Sequence, residues 1–496
     1  MIFIYLLSGL FLGWSFGAKD TGNIFGAAVE TKMITFKKAA LIAAIFVTLG
    51  AVLDGSGPSQ TLSKLGSVNA LGGAFTVALA AAITITLMVR IGVPVATSQT
   101  LAGAIIGWNY FAGRLTDYSS LAAIAISWLL APVLGAIFAA LLFFIFRSYL
   151  GKVKVHMLEQ DVWTRFWLVI IGAFGAYSLG ANNIANIVGV FVPVNPFKDI
   201  AIPWIGTVSG ITQLFLLGSV SIVVGIYTYS YKIMKTVGKE LFNLSPITAL
   251  IAVLAEAIVL FLFSSKGLHG LLVSLHIPPI PLVPVSASQI IVGSVLGIGL
   301  AKGGKNIRYN MLGKISLGWV AAPLMAFFFS FVALFIIQNV FEQQVNVDTR
   351  YVFDRQTITQ IEKNGLDTKY LSTVNGRTFE NELALYNELK KQSNFDREQL
   401  LEILFITEIH PMKVNTGILR ENGLYKRFSR AQWEALKSLE NRKYNHKWQL
   451  ADTLAKHPSW QYRDLANSKP TENFNKNLSE LLDILNRSFY SPENTK

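Results

Sequence analysis

Two short stretches concentrate the polar chemistry of an otherwise apolar chain. Gly17-Ala18-Lys19-Asp20-Thr21-Gly22-Asn23 and Gly180-Ala181-Asn182-Asn183-Ile184-Ala185-Asn186 both read G-A-polar-polar-x-small-N, and each interrupts an apolar segment long enough to enter a bilayer. An ammonium, a carboxylate and a row of amides are costly at that depth and rarely idle. The plain alternative is a polar loop between two short helices. A second pair sets hydroxyls and an amide behind a proline: Pro94-Val95-Ala96-Thr97-Ser98-Gln99 and Pro284-Val285-Ser286-Ala287-Ser288-Gln289. A Pro-Val start suits a helix N-terminus, where free N–H groups and Ser/Thr hydroxyls hold an oxyanion. Such hydroxyls also commonly bond their own i−4 carbonyls.

Glycines flank the asparagine-bearing stretches: Gly13, Gly17, Gly22 and Gly26 in the first, and Gly172, Gly175, Gly180 and Gly189 in the second. They permit close helix approach, and they permit a break. A broken helix leaves free N–H groups on one half and free C=O groups on the other, ready for an anion and a cation. The expectation is therefore two unwound helices facing each other. Small-residue rows are also ordinary packing surface in membrane helices.

The composition sets the class. Hydrophobic residues make up 52% of the chain and charged residues 15%, against about 25% charged in a soluble globular chain. Residues 1–340 hold 20 Lys+Arg and 9 Asp+Glu, and the remainder hold 23 and 21. A membrane body of net +11 thus precedes a tail of net +2. With no Cys, disulfides and thiolate metal sites are excluded. The six His form no close ligand pair, so no metal centre is expected. The surplus Lys and Arg sit in short loops between apolar runs, which is a membrane-topology pattern rather than a nucleic-acid footprint.

Runs without charge at 65–89, 91–113, 118–146, 166–197, 200–231, 241–255, 267–301 and 315–341 supply candidate spans, with shorter ones at 1–18 and 39–53. Basic clusters at Lys32/Lys37/Lys38, Arg147/Lys152/Lys154/Arg165, Lys232/Lys235/Lys239 and Lys302/Lys305/Arg308/Lys314 all fall on one side if each half crosses five times. An odd number makes the second half an inverted copy and puts both termini outside the cytoplasm. The duplication is visible in the residues: 94–99, Gly103 and Gly107 match 284–289, Gly293 and Gly297 at an offset of 190, and Trp128/Pro132 match Trp319/Pro323 at 191. Expected domains are a first transmembrane repeat at 1–155, a second at 156–340, and a soluble helical accessory domain at 341–496. In the tail, Asp396 before Gln399 and Ser429 before Gln432 are helix-start signals, and Trp433, Trp448 and Trp460 point to a small packed core.

Together the four motifs resemble the inorganic phosphate transporter (PiT) family, whose hallmarks are G-A-N-D-x-A-N and P-V-S-T-T-H, once in each half. The stretch from Thr236 to Pro246 also resembles that family's second repeat. The likeness spans about residues 1–340. It implies an all-α polytopic, inverted-repeat transporter with broken helices or re-entrant hairpins, which takes up inorganic phosphate with sodium or protons by alternating access. Carried over, the resemblance assigns substrate contacts to Asn23, Asn182, Asn186, Thr97, Ser98, Ser286 and Ser288, and the coupling ion to Asp20 and Asn183. The chain departs from the pattern at Lys19 (for Asn), Asn183 (for Asp), Ala96, Ala287, Gln99 and Gln289 (the last two for His). The motif cores lose a carboxylate and gain an ammonium, so the site holds a cation less well and a dianion better. Lys19 either stands in part for a coupling cation and meets the substrate, or pairs with Asp20, or snorkels to the boundary with no part in the site. Adjacent residues point about 100° apart on a regular helix, so pairing requires the break. Glu256, mid-span among apolar residues, is a proton-coupling candidate.

The expected partners are inorganic phosphate, or sulfate as its near-isostere, and the lipid bilayer. A homo-oligomer is one option, nucleic acid is not expected, and the tail's partner is open. No cofactor is expected beyond coupling Na+ or H+, and the location is the cell (inner) membrane, multi-pass. An enzyme has little support, since no nucleophile–base–orienter set appears. A non-transporting sensor or scaffold with a transporter-like body is the rival of another class.

Overall fold

A computed structural model describes residues 2–91, 95–152, 156–202, 206–240, 246–304, 309–371, 373–392, 395–463 and 469–491. Pro94, Lys154, Lys305 and Arg308 lie outside the described residues. The chain forms two compact units, one of Met1–Phe111, Thr116–Phe197 and Ile211–Val347, the other of Ala112–Leu115, Lys198–Gly210 and Asp348–Lys496.

The apolar runs of the first unit become helices because a bilayer leaves the backbone no partner but itself. They are α1 (Ile2–Glu30), α2 (Phe36–Leu53), α3 (Ser56–Gly66), α4 (Leu71–Arg90), α5 (Thr97–Ala112), α6 (Tyr118–Lys152), α7 (Met157–Val188), α8 (Gly210–Glu240), α9 (Pro246–Ser264), α10 (Lys266–Ser274), α11 (Ala287–Ala301) and α12 (Tyr309–Asn339). Eight of these are long and apolar enough to cross a membrane, four in each half. In each half a shorter helix, α5 or α11, also follows, and the 277–286 segment ahead of α11 has no regular secondary structure. α7 and α9 bury 72% of their most apolar window, whereas α6 and α12 bury 22%. The latter pair leaves most of its apolar surface uncovered by the rest of the unit.

The duplication extends to helix boundaries. Shifting α1 by 163 falls on α7, α2 and α4 by 175 on α8 and α9, α5 by 190 on α11, and α6 by 191 on α12. The two copies are interlaced rather than side by side. A Cβ on Gly17 would lie 1.9 Å from the Ile222 carbonyl oxygen, and one on Gly180 would lie 2.0 Å from that of Val47. Gly50 meets Tyr177 and Ala181, while Gly225 meets Trp14 and Ala18. Gly103 and Gly107 of α5 lie on Pro323 and Phe327 of α12, and Gly293 and Gly297 of α11 lie on Pro132 and Ala136 of α6. Every contact is repeated by its mate at the same offsets, and every one joins opposite repeats. Pairwise glycines let these backbones touch, as small residues do between membrane helices.

One expectation fails. α1 runs unbroken through 17–23 and α7 through 180–186. The glycines at these stretches serve close approach, so no residue there must leave the helix. The interruptions fall instead before Thr97 and Ala287.

Beyond α12, residues 343–347 cross the ends of α1, α4 and α5. Tyr5 donates to Gln343 (2.5 Å), Asn69 exchanges two hydrogen bonds with Val347 (2.8 and 3.0 Å), and the Trp108 indole donates to Val345 (3.0 Å). The chain therefore leaves this unit on the face opposite the lysine-bearing α1–α2 connection.

The second unit is not purely helical as expected. Small antiparallel pairs, Tyr351–Val352 with Thr378–Phe379 and Met412–Lys413 with Lys443–Tyr444, accompany its helices. Asp396/Gln399 and Ser429/Gln432 do form capping boxes. Trp460 is buried in one core and Trp448 packs against another. The tail is itself a duplication. Arg377-Thr378-Phe379, Leu385 and Leu389 match Arg442-Lys443-Tyr444, Leu450 and Leu454 at an offset of 65. Both halves also carry an Asn-Gly-Leu turn with a left-handed glycine, Gly365 and Gly423. Loop 112–115 belongs here: Leu383 N–H donates to the Gly113 carbonyl (2.9 Å), and Arg114 faces Glu382 (3.9 Å). Asp199 pairs with Arg427 (3.0 Å).

Two predictions follow from this packing. Gly180→Ala and Gly225→Ala each force helices of opposite repeats apart, at a cost of about 1–3 kcal/mol, and should lower the yield of monodisperse protein; wild-type yield and melting temperature in both would refute the contact. In the tail, burial holds His446 below its ordinary pKa although the ring faces the Glu408 carbonyl (2.7 Å). The unfolded tail binds that proton more readily, so stability present above about pH 6.5 is lost as pH falls through the folded value. Exchange-protection factors of amides near Glu408 in the full chain should drop between pH 7.5 and 5.5; equal protection at both would refute it.

Candidate functional site

The site lies where mates meet. Asn183 donates to Asp20 (Nδ2 to Oδ2, 3.2 Å), and the two are related by the offset of 163. Symmetry mates can touch only on the axis relating them, so this bond marks it. Around it a cavity of about 10 Å³ is lined by Phe16, Lys19, Asp20, Thr97, Ser98, Asn183, Asn186, Val285, Ser286, Ala287 and Ser288. Four elements supply these groups: α1, α7 and the beginnings of α5 and α11.

Local sequence explains how the last two are held. The Ser286 hydroxyl caps α11 by accepting from Gln289 N–H (3.4 Å). Its mate Ala96 has no hydroxyl, so α5 starts without that cap. Asn182 fastens the extended segment ahead of α11: its amide donates to the Val283 carbonyl (3.2 Å), and its oxygen accepts from Val285 N–H (3.0 Å). A side chain here does what a neighbouring strand would do, satisfying buried backbone groups. With both ends engaged, Asn182 positions Ser286 and Ser288 rather than facing the cavity.

Of the residues singled out in the sequence, Lys19, Asp20, Asn183, Asn186, Thr97, Ser98, Ser286 and Ser288 come together at the cavity. Asn23, Asn182 and Glu256 are buried outside its lining. Lys19 and Asp20 form no ion pair within 4.0 Å among the described residues, as an unbroken α1 dictates by pointing them apart. Several buried polar atoms here lack a protein partner: Asp20 Oδ1, Asn23 Nδ2, Ser98 Oγ, Gln99 Oε1, Asn186 Oδ1, both Glu256 oxygens, and both side-chain heteroatoms of Gln289. Buried polar atoms are ordinarily satisfied, and clusters of exceptions mark functional positions. In the sequence Gln99 and Gln289 stand out only as departures from the family pattern; their matched burial depends on contacts between distant positions.

The sequence profile of the phosphate transporter family matches residues 16–277 and 275–409. The chain belongs to the phosphate transporter family. Among family relatives, a protein of Methanocaldococcus jannaschii named as a phosphate permease is 26% identical over 327 residues, covering 66% of this chain and 95% of its own. One from Thermococcus kodakarensis, named likewise, is 24% identical over 415 residues, covering 66% and 97%. A solved structure described as the sodium-dependent phosphate transporter superposes with a TM-score of 0.53 at 20% identity, over 68% of this chain and 98% of that one. The membrane unit thus has the fold of that transporter. The relatives are permeases, not enzymes.

The Asn182 clamp is directly testable, because the chain has no Cys and a single introduced one has no background. In Ser286→Cys protein, adding Asn182→Ala leaves two buried backbone groups unpaired at about 1–3 kcal/mol. Maleimide labelling of position 286 should quicken roughly tenfold. An unchanged labelling rate would show that Asn182 does not hold the segment.

Proposed function

We propose that this protein takes up inorganic phosphate across the cell membrane by alternating access, coupled to sodium or protons. The carrying observation is the cavity on the two-fold axis, which draws hydroxyls, amides, an ammonium and a carboxylate from both repeats of a phosphate transporter family fold. Thr97, Ser98, Ser286 and Ser288 stand at helix N-termini, where hydroxyls and free N–H groups suit the oxygens of a tetrahedral anion. Lys19 adds a counter-charge. Asn183 and Asn186 complete the polar lining, and Asp20 serves the coupling cation.

The cavity is about the size of one water, too small for an anion with four oxygens. Loading therefore requires the tips of α5 and α11 to part from α7 and α1. Because each tip sits on the long final helix of the other repeat, opening toward either face is the same motion performed by opposite copies. Phosphate is favoured over sulfate because Asp20 can accept a hydrogen bond from a protonated phosphate, whereas sulfate at neutral pH offers none.

Full-length protein in proteoliposomes should accumulate radiolabelled phosphate when a sodium or a pH gradient is imposed. A tenfold excess of sulfate should leave uptake within about twofold. Asp20→Asn should cut accumulation by roughly tenfold or more. Phosphate uptake equal to that of empty liposomes under both gradients would end this reading; preferential sulfate uptake would replace its substrate.

A further inference from the structure

Positions related by the two-fold should carry the same chemistry wherever the two copies do the same work. Near the axis several do: Asn23 with Asn186, Ser98 with Ser288, and Gln99 with Gln289. The carboxylates do not. Asp20 is mated to Asn183. Glu256 on α9 is mated, at the offset of 175 that carries α4 onto α9, to Ala81 in the matching run Leu79-Ala80-Ala81-Ala82 against Leu254-Ala255-Glu256-Ala257. Each repeat thus keeps one carboxylate, Asp20 in the first and Glu256 in the second, and the positions mated to them, Asn183 on α7 and Ala81 on α4, carry an amide and a methyl group.

The retained pair is in an unusual state for membrane carboxylates. Glu256 is 0% exposed and Ala81 likewise. Neither Glu256 oxygen has a hydrogen-bond partner, and Asp20 Oδ1 has none. Asp20 lies on α1 and Glu256 on α9, and these helices pack together, with Ala27 of α1 sharing a buried cluster with Ala252 and Ala255 of α9. Two carboxylates buried on packed helices, with oxygens that no protein donor satisfies, call for a cation or a proton. Nearby, Asn23 Nδ2 and the Gln289 amide are also unpartnered. Across the axis, the mated positions Asn183, Asn186 and Gln99 are amides, which carry no charge to balance a cation. At the cavity itself Lys19, mated to Asn182, brings a fixed positive charge.

Building on the transport reading above, we propose that this chain retains one cation position, at Asp20 and Glu256, where its two-fold plan has room for two, and moves one coupling cation with each anion. Positive charge that a second cation would deliver to the anion is built into the chain as the Lys19 ammonium.

The test is a coupling ratio measured on full-length protein in proteoliposomes. Sodium-22 and phosphorus-32 influx are followed together under a sodium gradient at equal pH; in a second arm, proton and phosphate fluxes are followed under a pH gradient without sodium. In whichever arm drives uptake, the expected ratio is one, with a hyperbolic dependence on the cation (Hill coefficient about 1). Glu256→Gln should reduce gradient-driven accumulation by roughly tenfold. Ala81→Glu with Asn183→Asp, examined if it elutes like the wild type, should raise the ratio to two. A wild-type ratio of two or more overturns the proposal while leaving phosphate transport standing. Accumulation by Glu256→Gln at the wild-type level overturns it as well. Absence of any anion flux is a different failure, that of the transport reading itself.

Discussion

Backbone contact between helices of opposite repeats is the constraint on which the rest of the membrane unit depends. In hydrocarbon there is no hydrophobic gain in joining one apolar helix to another, so association rests on how closely the two can approach. Gly17 on Ile222 and Gly180 on Val47 set that approach at the polar stretches, and Gly103, Gly107, Gly293 and Gly297 set it for the short helices. The consequence is architectural. Each repeat lends α5 or α11 to the long terminal helix of the other, so neither repeat is a separable body. The polar stretches are then drawn to one axis, where Asp20 and Asn183 meet.

Keeping α1 and α7 helical at those stretches changes where the free backbone groups are. An unwound motif would expose its own N–H and C=O groups to the ligand. A continuous helix keeps them internally bonded and presents only side chains. The available backbone groups lie instead at the beginnings of α5 and α11, whose first N–H groups have no helical partner. The site is consequently made of side chains from two intact helices facing the N-termini of two short ones. That division suits an anion shared between amides, hydroxyls and peptide N–H groups.

Much of this was legible in the sequence because it rests on residue type at fixed spacing. The doubled G-A-x-x-x-x-N and P-V-x-x-S-Q stretches, the low charge and the basic loops are such signals, and they located eight of the cavity-lining side chains. What was not legible depends on contacts between distant positions. That the glycines mark cross-repeat contact rather than a helix break cannot be told from glycine alone, which permits either. Asn182 looks identical to Asn186 in sequence, yet one bonds Val283 and Val285 while the other lines the cavity. The tail's duplication escaped notice because only a few positions, such as Phe379/Tyr444 and Leu385/Leu450, keep their character across the offset of 65.

The divergence between mated positions has a physical direction. A two-fold plan starts with equivalent halves, and the mated positions here differ in charge: Asn183 against Asp20, Ala81 against Glu256, and Asn182 against Lys19. Asp20 on α1 and Glu256 on α9, helices that pack together, have no carboxylate at the positions mated to them. On the proposed transport reading, an anion at the axis meets the Lys19 ammonium in its own cavity, and charge changes on the carboxylates reach it through a low-dielectric interior in which Coulomb interactions are several-fold stronger than in water. A group bound that way responds to neutralisation of Asp20 and Glu256 without touching Glu256. In the proposed transport cycle, coupling between cation and anion then needs proximity across α1 and α9 rather than a shared ligand.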